Sequence, residues 1–144
     1  MHRKIVPDLI SEGAAPPVVA ATASTRQAAA LMCDMKASAL VVANEDGSIV
    51  GLVSERDLVC RVLAADDEAN TVADVMTTDI DVLAADDSAQ DAFALMQARG
   101  YRHVAVATAD GAPLAVLSLA DLMAPLQDLI DSDAQAKQTE IFGD

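Results

Sequence analysis

Apolar residues recur along this chain in two rhythms, and each rhythm occurs twice. Unbroken apolar runs at Ala39–Ala43, Ile49–Val53, His103–Ala107 and Leu114–Leu117 read as strands. Shorter runs, Val18–Ala20 and Asp81–Leu83, read as strands that open each half. Between them the apolar positions fall three and four apart, the spacing of one helix face. Ala28, Leu31, Met32 and Met35 share such a face after Ser24, and Ala92, Leu95, Met96 and Arg99 share one after Ser88. Both serines are suited to cap a helix N-terminus. Asp46-Gly47 and Asp110-Gly111 stand between apolar runs and signal hairpin turns. A last helix is predicted from Ser54 in one half and from Ser118 in the other. Each half therefore reads β-α-β-β-α.

The halves are copies. "GLVSERDL" (Gly51–Leu58) aligns with "AVLSLADL" (Ala115–Leu122), and "STRQAAALM" (Ser24–Met32) with "SAQDAFALM" (Ser88–Met96), both at an offset of 64 residues. Over 20–58 against 84–122, 14 of 39 positions are identical without a gap. Composition alone would match about four or five. A unit this small has one layer of helices and one open sheet face, which it buries best against its twin. The expected fold is α/β (α+β): two tandem β-α-β-β-α repeats packed sheet to sheet about a pseudo-twofold axis, with two related clefts between them. The expected boundaries are 6–64 and 65–127, with a polar tail over 128–144. Residues 59–78 join the repeats, Leu63–Glu68 as a helix end and acidic loop, and Thr71–Asp79 as a short helix leading into repeat 2. "VPDLISEG" near the start echoes "VADVMTTD" in that joint.

Composition narrows the function. The hydrophobic fraction is 53% while aromatics are 2%, so the core must be built from small aliphatic side chains, Leu, Ile and Met. A net charge of −14 repels phosphate backbones, and the scarcity of aromatics removes stacking platforms, so nucleic acid is not an expected partner. No apolar run reaches about 18 residues, so no membrane span is expected. The first residues lack the apolar stretch of a signal peptide, and a cytoplasmic location is expected. Cys33 and Cys60 sit apart in apolar, helix-like contexts and are expected to be buried free thiols. Isolated cysteines and two histidines make no zinc pattern, the scattered glycines make no phosphate loop, and no nucleophile–base pair stands out. An enzyme is therefore not expected.

Ser54…Asp57 and Ser118…Asp121 each open a helix after a strand. One reading is a capping box, serine at the N-cap and carboxylate three residues on. The other is that the aspartate accepts both hydroxyls of a ribose beside a helix N-terminus that favours phosphate. Arg102-His103 stands at the start of a strand, where the forked donors of arginine suit an anion. Five of the nine Lys and Arg residues, Lys36, Arg56, Arg61, Arg99 and Arg102, fall near these motifs. Repeat 1 has Ala37-Ser38-Ala39 where repeat 2 has Tyr101-Arg102-His103, so the copies have diverged. Repeat 2 also has Ala115 where repeat 1 has Gly51.

With these motifs in both halves, the chain resembles the prokaryotic stand-alone pairs of cystathionine-β-synthase-type (CBS) domains, over about Val6 to Leu126. The resemblance implies a non-enzymatic regulatory module that binds AMP, ADP, ATP, S-adenosylmethionine or an NAD-type ligand between the repeats. It also implies a disc-shaped homodimer of two pairs and an unidentified effector protein. By family geometry one site combines Ala37, Ser38 and Ala39 with Arg102, His103, Ser118 and Asp121, and is the favoured phosphate-bearing site. The other combines Ser54, Arg56 and Asp57 with Thr77, Thr78 and Tyr101. The alternative is a structural or protein-interaction dimer whose clefts hold no nucleotide.

Overall fold

The computed structural model describes residues 3–10, 13–65 and 71–123. Repeat 1 contains β1 (Val18–Ala20), α1 (Thr25–Met35), β2 (Ala39–Ala43), β3 (Ile49–Ser54) and α2 (Glu55–Leu58), which runs on into a wider helical turn, Val59–Leu63. A short helix, α3 (Val72–Val75), precedes repeat 2, which contains β4 (Val82–Ala84), α4 (Ala89–Arg99), β5 (His103–Ala107) and β6 (Pro113–Ser118). A further helix, α5, follows over 119–123. Residues Asp66–Asn70, in the expected acidic loop, and the expected tail over 128–144 lie outside the described residues.

Each repeat forms a three-stranded sheet, β1-β2-β3 or β4-β5-β6, with its first pair parallel and its second antiparallel. The crossover between the parallel strands is α1 or α4. Ser24 starts α1 with a reciprocal cap: its hydroxyl accepts from the Gln27 N–H at 3.0 Å, and the Gln27 side chain accepts from the Ser24 N–H at 2.8 Å. Ser88 caps α4 through the Asp91 N–H at 3.0 Å. Gly100, at φ 72°, ends α4 in the left-handed region.

The strands are apolar without alternation because both faces of each sheet are covered. Leu40, Val42 and Val53 point toward α1 and pack with Ala28 and Met32. Their neighbours Val41 and Leu52 point the other way and pack with Ala105 of repeat 2, flanked by Val116. Repeat 2 mirrors this: Val104, Val106, Ala115 and Leu117 face α4 with Ala92 and Met96. The two sheets thus meet face to face, as the repeat pattern predicts. Arg99 departs from its expected core-facing place. It is exposed at the end of α4 and pairs with Asp81 at 3.3 Å, since only Ala92 and Met96 of that helix are buried. The first strand of repeat 2 starts one residue later than predicted, leaving Asp81 outside it.

The segments leading into the repeats are exchanged. Ile5 and Val6 donate backbone hydrogen bonds to Asp87 and Ala85 of repeat 2, both at 3.0 Å. Val72 and Ala73 donate to Ala23 and Ala21 of repeat 1, at 2.8 and 3.0 Å. Each acceptor lies 64 residues from its counterpart. Ile5 is therefore buried in the core of repeat 2, and Val72 and Val75 in the core of repeat 1. Each core is completed by the segment that precedes the other repeat. Ile5→Ala is expected to cost about 3 kcal/mol, the range for emptying a core isoleucine site. Amide hydrogen exchange should show the loss in α4 and β5 rather than in α1 and β2. Loss confined to repeat 1 would contradict this packing.

Candidate functional site

Both cysteines are exposed, not buried as expected. Cys33 follows Met32 on α1, one residue round from the buried face, and Cys60 lies on the outward turn after α2. Neither reaches a cleft.

The repeat interface opens into two clefts of unequal size. The larger has a volume of about 440 Å³. One wall is the end of β3 and the first turn of α2, with Ser54, Glu55, Arg56 and Asp57. The opposite wall comes from repeat 2, with Asp79, Asp81, Tyr101 and Arg102. The smaller, about 210 Å³, is bounded by Lys36 and Ala37 on one side and by Ser118 and Asp121 on the other. Ser38, Ala39 and His103 line both.

The expected grouping is thus met in part. Ser54, Arg56, Asp57, Thr77 and Tyr101 come together in the larger cleft, and Ala37, Ser38, Ala39, His103, Ser118 and Asp121 in the smaller. Arg102 does not join Asp121; it lines the larger cleft. Arg102 and His103 are successive residues entering a strand, so their side chains diverge, and only His103 reaches both clefts. Thr78 lines neither. The smaller cleft lies below the roughly 300–1,000 Å³ typical of small-molecule sites, while the larger lies within that range. Sequence reasoning did not single out Glu55, Asp79 and Asp81. Their signal was proximity to Ser54 and to the joint before repeat 2, which needs the fold to become meaningful.

Ser54 and Asp57 form the capping box. The Ser54 N–H donates to Asp57 Oδ2 at 2.9 Å, and the Asp57 N–H donates to Ser54 Oγ at 3.2 Å. Ser118 and Asp121 repeat it at 2.8 and 3.1 Å. Capping engages one carboxylate oxygen, Oδ2, and leaves Oδ1 outside the cap. Asp57 Oδ1 lies 3.7 Å from Arg61 Nε, whose side chain is half exposed. The caps also pre-set each carboxylate, so its rotamer is already restricted before any ligand arrives.

Tyr101 is tied to the joint before repeat 2 by its hydroxyl, which donates to the Asp79 carbonyl at 3.2 Å. Burial, with Asp81 and Asp79 beside it, pushes its phenol pKa up, so it stays a donor. Thr77 is held on the edge of β3: its N–H donates to the Leu52 carbonyl at 2.8 Å and its carbonyl accepts from the Leu52 N–H at 3.0 Å. Gly51 permits this approach, because a Cβ there would lie 2.7 Å from the Thr77 oxygen and 3.0 Å from Met76 Sδ. Gly51→Ala is expected to push Thr77 off the strand at a cost of about 1–3 kcal/mol, read as a lower denaturation midpoint. An unchanged midpoint would mean that this contact is loose.

Ser38 Oγ and His103 Nε2 are 2.7 Å apart and join the repeats across the partition between the clefts. Burial lowers the His103 pKa from 6.5; Asp121, Glu55 and Asp57 pull it up against burial, and Arg102 adds to the lowering. The folded chain therefore binds a proton at His103 less readily than the unfolded chain does. Stability from this site is present above pH 6.5 and is lost as pH falls through the lower folded value. His103→Gln should flatten that acid-side loss in urea titrations run from pH 7 downward. An equally steep loss in the variant would assign it to other groups.

The CBS domain model matches this chain twice, over residues 8–64 and 72–128. The chain belongs to the CBS domain family. A CBS domain protein of Pyrobaculum aerophilum, solved in complex with AMP, is 25% identical with a TM-score of 0.71, over 83% of this chain and 88% of that one. A CBS-domain containing protein of Agrobacterium tumefaciens is 27% identical with a TM-score of 0.69, over 81% and 88%. An uncharacterized 17.7 kDa protein of Acidianus ambivalens is 29% identical over 112 residues, 78% of this chain and 68% of the relative. No helix among the described residues of this CBS pair is long and apolar enough to cross a membrane.

Proposed function

We propose that this CBS pair is a non-enzymatic regulatory module that binds an adenosine-containing ligand in its larger cleft. The observation that carries the reading is the placement of the Ser54–Asp57 cap across a 440 Å³ cleft from Tyr101 and Arg102. The cap holds a carboxylate against which a vicinal diol can donate two hydrogen bonds. Tyr101 offers an aromatic face for a base, its hydroxyl already anchored. Arg56 and Arg102 supply guanidinium groups for an anionic group. The AMP complex of the Pyrobaculum relative supports the same ligand class. In this reading occupancy of the cleft is the signal, passed on to another protein.

A homodimer accompanies this reading. Val59 and Leu63 are 53% and 76% exposed on the turn after α2, and Leu119 and Met123 are 39% and 46% exposed on α5. Val59 and Met123 are 64 residues apart and so occupy equivalent places in the two repeats. A second copy would cover this apolar pair of helices, and the same surface would serve a purely structural dimer.

A thermal-shift series with AMP, ADP, ATP, S-adenosylmethionine, NADH and a guanine nucleotide tests the ligand. A compound at about 100 times its dissociation constant adds roughly 2.7 kcal/mol to the folded state. A rise in Tm with an adenosine compound, absent with guanine, is the expected result. Asp57→Asn keeps an oxygen for the Ser54 cap but loses the charge, and should weaken binding by about tenfold or more. No shift with any adenosine compound would shift the reading to the dimer surface, and normal binding by Asp57→Asn would leave Asp57 as a cap alone.

A further inference from the structure

We propose that the larger cleft is selective for adenosine ligands carrying a single phosphate, and that Asp79 and Asp81, with Glu55, turn longer phosphate chains away. The proposal rests on the adenosine reading above and adds to it a choice among adenosine compounds. Volume does not make that choice, because 440 Å³ is within the range that admits nucleotides of several lengths. Charge does.

Two guanidinium groups line the cleft, Arg56 from α2 in repeat 1 and Arg102 ahead of β5 in repeat 2. Neither is in an ion pair among the described residues. Four carboxylates line the same cleft: Glu55, Asp57, Asp79 and Asp81. Four negative against two positive groups give a formal lining charge of −2. Arg61 and Arg99 lean on Asp57 and Asp81 from outside the lining, at 3.7 and 3.3 Å. Both are half exposed, so they offset the carboxylates only weakly, and at their fullest they would bring the cleft to neutrality. His103 adds no charge near neutral pH, since burial keeps its imidazole unprotonated.

Among the described residues Glu55 and Asp79 are in no ion pair, and beside them in the lining stands Asp81. Its Oδ2 is shut off from water with no hydrogen-bond partner among the described residues, and its contact with Arg99 is an off-line ion pair. A carboxylate oxygen in that state gains from a donor and is repelled by a second anion. The free cations suffice for one phosphate, which two arginines can hold between them. A second or third phosphate would add negative charge to a lining that already holds Asp79 and Asp81, with no further cation lining the cleft among the described residues to meet it. The screening length at physiological salt is roughly 8 Å, so like charges gathered in one cleft are only partly screened from one another.

Isothermal titration of the full chain with adenosine, AMP, ADP and ATP, free of divalent cations, tests this at low and high salt. AMP should bind tightest, with roughly tenfold lost for each added phosphate. The AMP-to-ATP gap should narrow in high salt and should narrow again in Asp79→Asn/Asp81→Asn. Asp79→Asn alone, an exposed position, gives the same direction if the double variant does not fold. ATP binding as tightly as AMP would overturn the proposal while leaving the adenosine reading intact. A gap that neither salt nor the variants narrow would also overturn it, because exclusion would then be a matter of shape. Failure of all four compounds to bind, adenosine included, would overturn the adenosine reading and this selectivity with it.

Discussion

Everything in this molecule depends on two sheets that are apolar on both faces. A three-stranded sheet with one helical layer leaves half of its strand side chains without cover, and the cost of wetting them is roughly 25 cal/mol for each Å² of apolar surface. The second repeat provides the cover. Val41, Leu52 and Ala105 meet in a seam to which both repeats contribute, while the alternate strand positions turn back toward α1 and α4. The clefts exist because twisted sheets packed face to face about an axis touch at the centre and part at the sides. The exchanged leading segments tighten the arrangement. With Ile5 sealed into one core and Val72 into the other, neither repeat has a complete interior of its own.

The residues that start the last helices have two tasks at one place. Ser54 with Asp57, and Ser118 with Asp121, satisfy the free N–H groups of a helix start, and the same carboxylates face the clefts. The capping reading and the binding reading are compatible because a carboxylate has two oxygens, and the cap uses one of them. A helix that must begin at the rim of the interface brings its capping group to the rim as well. The rigidity demanded by the cap is what a ligand would otherwise have to impose.

The clefts differ although the repeats are copies, and the differences trace to few positions. Tyr101 and Arg102 stand where Ala37 and Ser38 stand, and both fall on the side of Ser54. Gly51 admits the Thr77 backbone onto the edge of β3, whereas Ala115 carries a methyl at the equivalent place. Divergence at these places turned one cleft into a charged, roomy site and left the other small. The Ser38–His103 hydrogen bond lies between them and is part of both walls.

Much of the fold was legible in the sequence because its causes are local or periodic. The repeat at an offset of 64, the helix starts at Ser24 and Ser88, the Asp-Gly turns and the β-α-β-β-α order follow from backbone chemistry that each segment carries by itself. The Ser-x-x-Asp caps and the family were legible for the same reason. Three things were decided only by tertiary structure. Which core a leading segment enters depends on packing between distant parts, and nothing within Ile5 or Val72 states that they cross over. The exposure of Cys33 and Cys60 depends on which helix flank meets the sheet, and their apolar neighbours misled. The side of Arg102 was set by strand geometry at the interface, where successive side chains point apart and the distance to Asp57 or Asp121 exists only after the repeats have met. Composition gave the chain its total charge of −14, but the balance of four carboxylates and two guanidinium groups in one cleft arises from folding, which gathers residues from Ser38 to His103 around a single space.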